Sequence, residues 1–162
     1  MSDEPHANVR LVDRFYEAFD RRDHAGMIAC YAPNPVFEDE VFTLKGKAVG
    51  AMWHMLAANA REFSLEYRDV VADAATGRAH WEASYVFSTT GRRVRNVIDA
   101  EFSFRDGLIA THRDRFSFWN WSGQALGAPG ALLGWTPFLR NKVRAQAARN
   151  LQAFIANHPE YR

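Results

Sequence analysis

His112 and Asp114 are the residues with the most chemical potential in this sequence, because they stand two apart in a stretch, Leu108 to Trp119, where apolar and polar side chains alternate. Alternation is the period of a β-strand, whose successive side chains leave opposite faces. The even positions Leu108, Ala110, His112, Asp114, Phe116 and Phe118 form the apolar set, so an imidazole and a carboxylate are expected together on the buried face. A carboxylate placed there must be paired or protonated. Such a pair can move protons to and from a substrate. It can equally be a satisfied structural pair, or Asp114 can cap a helix end. Asn96 and Asp69 are the other polar residues expected on inner faces, Asp69 near a strand end.

The elements that must position this pair follow from the period of the hydrophobic residues. Val12, Phe15, Tyr16 and Phe19 recur at helical spacing and predict a helix over 7–21. Asp23 caps a short second helix ending near Ala32, where Pro33 and Pro35 stop it, and a brief extended piece, 36–41, follows. Val49, Met52, Trp53 and Leu56 predict a third helix over 47–60. Beyond Arg61 the period becomes two, with strands expected over 62–72, 78–88, 92–105 and 108–119, joined by turns at 73–77, 89–91 and 106–107. A last helix carries the apolar stripe Leu139, Val143, Ala147, Leu151, Phe154 and Ile155, with Thr136 and Pro137 at its start. The sum is an α+β domain over 1–162, with 120–162 read as a loop and C-terminal helix extension.

The same alternation makes Trp81, Ala83 and Tyr85 inner on one strand and Asn96, Ile98, Ala100 and Phe102 inner on the next. A three-residue loop, Arg105-Asp106-Gly107, keeps the even positions together and is expected to set Ala100 opposite His112 and Ile98 opposite Asp114. Alanines at the centre of an inner face fill little volume. Either a helix side chain such as Trp53 plugs the gap or a ligand cavity remains. The expected lining is Tyr16, Trp53, Trp81, Tyr85, Asn96, Ala100, Phe102 and Phe116 around His112 and Asp114.

Composition narrows the function classes. Lys+Arg 20 against Asp+Glu 19 gives a formal net charge of +1, with no basic patch, so no nucleic-acid partner is expected. One cysteine, Cys30, cannot form an internal disulfide, and no apolar leader stands at the start, which together point to a cytoplasmic protein. Residues 116–139 carry no charge, but six Gly and Pro residues interrupt them, so no membrane span is expected. The glycines at 123, 127, 130 and 134 lie among large apolar residues and suggest close backbone approach. No metal-ligand spacing, glycine-rich phosphate loop or serine elbow is present; no metal and no cofactor are expected.

Three helices followed by a long meander, with 23–32 leading into Pro35-Val36-Phe37-Glu38-Asp39, resemble the nuclear transport factor 2-like superfamily over about 9–119. Within it the chain is similar to the SnoaL-like group, which includes polyketide cyclases and lies near ketosteroid isomerases and limonene epoxide hydrolases. The resemblance implies a curved antiparallel sheet wrapped into a cone, N-terminal helices closing an apolar pocket, and a homodimer. It also implies that Asp39 stands where ketosteroid isomerases keep their carboxylate base. Their two oxyanion partners align with Phe15, next to Tyr16, and with Ala100. In the epoxide hydrolases a strand carboxylate in a motif similar to His112-Arg113-Asp114-Arg115-Phe116 activates water, while the other two site residues align with Ala83 and Tyr85. SnoaL-like cyclases use a comparable strand aspartate with a nearby histidine, which His112 and Asp114 match. The implied function is a cofactor-independent acid-base enzyme acting on a small apolar carbonyl or epoxide compound, with a non-catalytic binding or dimerisation module as the alternative.

Overall fold

The spacing of Leu11, Val12, Phe15, Tyr16 and Phe19 has the consequence its period demands. In the computed structural model, which describes residues 4–162, helix α1 (Ala7–Asp20) buries all five. Asp23 accepts a hydrogen bond from the Gly26 amide and starts α2 (His24–Ala29). Strands β1 (Tyr31–Glu38) and β2 (Thr43–Lys45) follow, then α3 (Lys47–Asn59). Next come β3 (Arg61–Ala72), β4 (Thr76–Phe87), β5 (Arg92–Arg105) and β6 (Leu108–Arg115). The chain ends in three helices, α4 (Phe118–Leu126), α5 (Ala128–Leu133) and α6 (Pro137–Ala156), and a 3-10 turn at Pro159–Tyr161.

One six-stranded sheet, in the order β2-β1-β6-β5-β4-β3, holds the architecture together. Its pairs are antiparallel except β1 with β6, which run parallel. The sheet is therefore mixed, and larger than a four-stranded meander. Pro33 and Pro35 do not end a helix near Ala32; they lie inside β1, where the ladder to β6 shifts between Tyr31 and Val36. Proline lacks the N–H a regular ladder needs, so an interrupted stretch accommodates it.

The β5–β6 hairpin also departs from the expected register. Asp106 and Gly107 both have positive φ, 53° and 73°, the conformation of a two-residue turn, and Phe104 pairs with Ile109. A bulge at Ala110 then restores the parity, giving Phe102 opposite His112 and Ala100 opposite Asp114. Ile109 rather than Leu108 is the fully buried residue at the strand's start. At the other end β6 stops at Arg115. Ser117 accepts a hydrogen bond from the Asn120 amide and begins α4, so the stretch expected as strand and loop is largely helical.

The core lies between the inner face of the sheet and helices α1 and α3. A second cluster, Val94, Phe118, Trp121 and Ala125, closes one end of that face beneath α4, with Val41, Tyr85, Phe116 and Val143 against it. Helices α4 and α5 pack with little clearance: a Cβ on Gly130 would stand 1.8 Å from the Ser122 carbonyl oxygen. The stripe on α6 docks on the same chain, with Leu139 and Leu151 buried and Phe154 and Ile155 half-buried. Among the described residues no helix is long and apolar enough to cross a membrane.

Candidate functional site

β6 delivers His112 and Asp114 to the inner face, as their spacing requires, and both are almost wholly buried. His112 Nε2 stands 2.9 Å from Asp114 Oδ1, and His112 Nδ1 stands 2.7 Å from the Tyr31 hydroxyl. The Trp53 indole N–H donates to that hydroxyl at 3.0 Å, and the Trp81 indole N–H reaches Asp114 Oδ1 at 3.4 Å. Donor and acceptor capacities assign the protons. If the Tyr31 O–H donates to Nδ1, the His112 Nε2–H donates to Asp114 Oδ1, and each of these contacts has one donor and one acceptor. The reverse assignment gives the Tyr31 oxygen two donors and leaves its hydrogen without an acceptor.

Tyr31 is the member that sequence reasoning missed. Its strand is disguised by the two prolines, and the parallel pairing that sets Phe37 beside His112 has no local signature.

Asp39 occupies the turn between β1 and β2. Its Oδ1 accepts the amides of Val41 at 2.7 Å and Phe42 at 2.6 Å, which is the ordinary structural use of an aspartate in a tight turn. Oδ2 accepts no hydrogen bond among the described residues. Burial pushes the carboxyl from 3.8 up to about 7, against the two amides; the Asp114 charge adds to the rise and His112 opposes it. Those couplings place Asp39 within electrostatic reach of the dyad. Helix α6 braces the turn from outside, with Arg140 3.7 Å from the Glu40 carboxylate and Arg144 donating to the Glu40 carbonyl at 2.9 Å.

Tyr85 belongs to the same neighbourhood. Burial raises its hydroxyl pKa, and the Asp39 charge adds to the rise. Trp121 of α4 donates to its oxygen at 2.9 Å, so the Tyr85 hydrogen is free to be given elsewhere. Asn96 is a diagonal neighbour on the same face, since Val94 pairs with Tyr85. It is 9% exposed, and its amide makes no hydrogen bond among the described residues. Asp39, Tyr85 and Phe116 are half-buried, as are Phe104, Leu108 and Ala110 toward the other end of the face.

The deeper expected lining residues fill the space themselves. Tyr16, Trp53, Trp81, Ala100 and Phe102 are all at most 6% exposed. Tyr16 packs over this part of the sheet, its ring 6.1 Å from Trp81 and 6.4 Å from Phe102. Trp53 instead stacks on His112 at 6.0 Å. The Tyr16 hydroxyl is buried without a hydrogen-bond partner. The two cavities described, of about 350 and 160 Å3, lie elsewhere, by Arg14 and Cys30 and on the outer face by Glu82 and Arg95. Asp69, expected inner, is exposed at a positive-φ position where β3 slips against β4.

N-terminal helices packed on the inner face of a six-stranded, mostly antiparallel mixed sheet over a buried aromatic core make a nuclear transport factor 2-like α+β fold. Residues 12–112 match the SnoaL-like domain, and the chain belongs to that family. The match includes Asp39 and ends two residues before Asp114. No curated protein matches. Among solved structures, an LEH-like epoxide hydrolase of M. tuberculosis is similar at 20% identity, covering 78% of this chain and 95% of that one, with a TM-score of 0.63. A protein with a ketosteroid isomerase-like fold from Catenulispora acidiphila, in complex with trimethylamine, has 13% identity, coverages of 78% and 97%, and a TM-score of 0.65. A protein of Xanthomonas campestris described as a polyketide cyclase has 22% identity, coverages of 74% and 96%, and a TM-score of 0.61. At these identities the likeness is one of fold.

Proposed function

We propose that this protein is a cofactor-independent acid-base enzyme acting on a small apolar carbonyl or epoxide compound, bound at the end of the inner face between Asp39, Tyr85, Asn96 and Phe116. The observation that carries this reading is Asp39: a half-buried carboxyl near 7 with one oxygen uncommitted. A base poised at the working pH exchanges protons in both directions. Asp39 Oδ2 takes the proton, from a carbon beside a carbonyl or from a water attacking an epoxide. The Tyr85 O–H supports the substrate oxygen as charge develops on it. Asp114, backed by His112 and Tyr31, is the second carboxylate of the site and the acid-base partner behind it.

Proton NMR in deuterated water, with a panel of small apolar ketones and epoxides, tests this. Wild-type protein is expected to exchange the proton beside the carbonyl or open the ring. Asp39→Asn is expected to lose about 10²–10⁴-fold of that rate, and Asp114→Asn most of it with the fold kept. No reaction above the buffer rate with any compound would defeat the enzymatic reading.

The packed interior favours a second reading. With Tyr16, Trp53, Trp81 and Phe102 filling the inner face, the protein is then a binding or dimerisation module, and ligand-induced shifts at Tyr85 and Asn96 would appear without turnover. Either reading includes a homodimer, supported by Trp119, Leu132, Trp135 and Phe138, which are 52–71% exposed on α4 to α6. Light scattering that returns the single-chain mass of 18.5 kDa would exclude it.

A further inference from the structure

His54 is one residue on from Trp53 and about 100° round α3, so it faces away from the aromatic core and toward the end of the chain. There it meets His158 and Glu160, contributed by the segment after α6. One ligand atom from each of the three lies within 4.8 Å of the others. We propose that His54, His158 and Glu160 form a site for a divalent transition metal of the zinc type, which fastens the C-terminal segment to α3.

The geometry of the two imidazoles supports this. His158 Nδ1 lies 2.8 Å from the Phe154 carbonyl oxygen. A carbonyl only accepts, so Nδ1 carries the proton and the lone pair sits on Nε2. His54 Nδ1 lies 2.9 Å from the Tyr161 hydroxyl, which can hold the same tautomer. Ligating histidines are oriented in this way, with one ring nitrogen tied to an oxygen and the other turned to the metal. His24 stacks flat on His54, with centroids 3.6 Å apart, and Phe154 stacks on His158 at 3.9 Å, so both ring planes are fixed.

Two imidazoles and one carboxylate suit zinc, cobalt, nickel or copper rather than the all-oxygen preference of magnesium and calcium. Ligand atoms around a tetrahedral zinc stand roughly 3.4 Å apart, so the three close by at most about 1.4 Å from their present separations of within 4.8 Å. Glu160 is exposed on a three-residue turn and is the member free to move. Three protein ligands leave the fourth position to water. The sequence shows no ligand spacing because one histidine comes from α3 and the rest of the set from the far end of the chain.

The test uses the full-length chain without an affinity tag. Titration with zinc chloride by calorimetry, and with cobalt by visible absorption, is expected to show one ion per chain and a rise in melting temperature. His158→Ala and Glu160→Gln, both outside the core, are each expected to weaken zinc binding at least tenfold and to remove the rise, with the metal-free melting temperature kept within a few degrees of wild type as the check on folding. No stoichiometric binding, or binding that either variant weakens by less than tenfold, overturns the proposal.

Discussion

Replacing Asp39 by Asn is expected to make the protein more stable at pH 8 and to flatten its stability between pH 4 and 7. In the folded chain the carboxyl is pushed up to about 7, whereas in the unfolded chain it returns to roughly 3.9. Below pH 4 both states hold the proton and nothing differs. Between 4 and 7 the folded state keeps a proton that the unfolded state has released, so stability falls as pH rises through this window. Above 7 the loss is complete. A displacement from 3.8 to about 7 would be worth roughly 4 kcal/mol at about 1.36 kcal/mol per unit, and water around a half-buried group reduces this to about 1–2 kcal/mol. Asparagine cannot ionise, and its oxygen still accepts the Val41 and Phe42 amides. Urea midpoints at pH 5 and pH 8 for both proteins decide: parallel shifts in the two would mean that Asp39 titrates as an ordinary surface carboxylate. A wild-type residue that costs stability at neutral pH is what a retained functional group looks like.

The parts of the fold legible in the sequence are those set by short-range period. α1, α3 and α6 follow from helical spacing, and the inner faces of β4 and β5 follow from strict alternation, so Trp81, Ala83, Asn96, Ile98, Ala100 and Phe102 stand where the pattern puts them. His112 and Asp114 are inner as well, by a different route. A three-residue loop would preserve parity, and the chain instead uses a two-residue turn and restores parity with the Ala110 bulge. A bulge has no compositional mark, so the face was readable and the partner residues were not. Long-range pairing is the other illegible part. Only the end of β1 falls within the extended piece expected over 36–41; its first residues take their place from the parallel contact with β6, which brings Tyr31 to His112. Likewise α4 falls on residues expected as the end of a strand and a loop, and its Trp121 reaches Tyr85. The C-terminal extension thus braces the Asp39 turn and the Tyr85 hydroxyl, a role no local pattern could announce.

The relay from Trp53 through Tyr31 and His112 to Asp114 predicts the largest stability effects. Asp114→Ala removes the acceptor of two buried donors, the His112 Nε2–H and the Trp81 indole N–H, and breaking one side of such a buried pair costs about 3–5 kcal/mol. Asp114→Asn keeps an oxygen in place and loses only the charge, so about 1–2 kcal/mol is expected, comparable to one weakened charge-assisted hydrogen bond. Tyr31→Phe leaves the Trp53 N–H without its acceptor and His112 Nδ1 without its donor; at about 1–3 kcal/mol for each unsatisfied group, it exceeds the asparagine change. Because both substitutions act on one imidazole, they are expected to couple. With Tyr31 unable to donate, His112 is free to move its proton to Nδ1, which relieves the demand on Asp114. The double variant Tyr31→Phe with Asp114→Asn is therefore expected to be more stable than the sum of its parts by about 1 kcal/mol or more. Urea denaturation of the four proteins measures the cycle. Additivity within about 0.5 kcal/mol, the range for independent sites, would show that Tyr31 and Asp114 do not communicate through His112, and the proton assignment along the relay would fail with it.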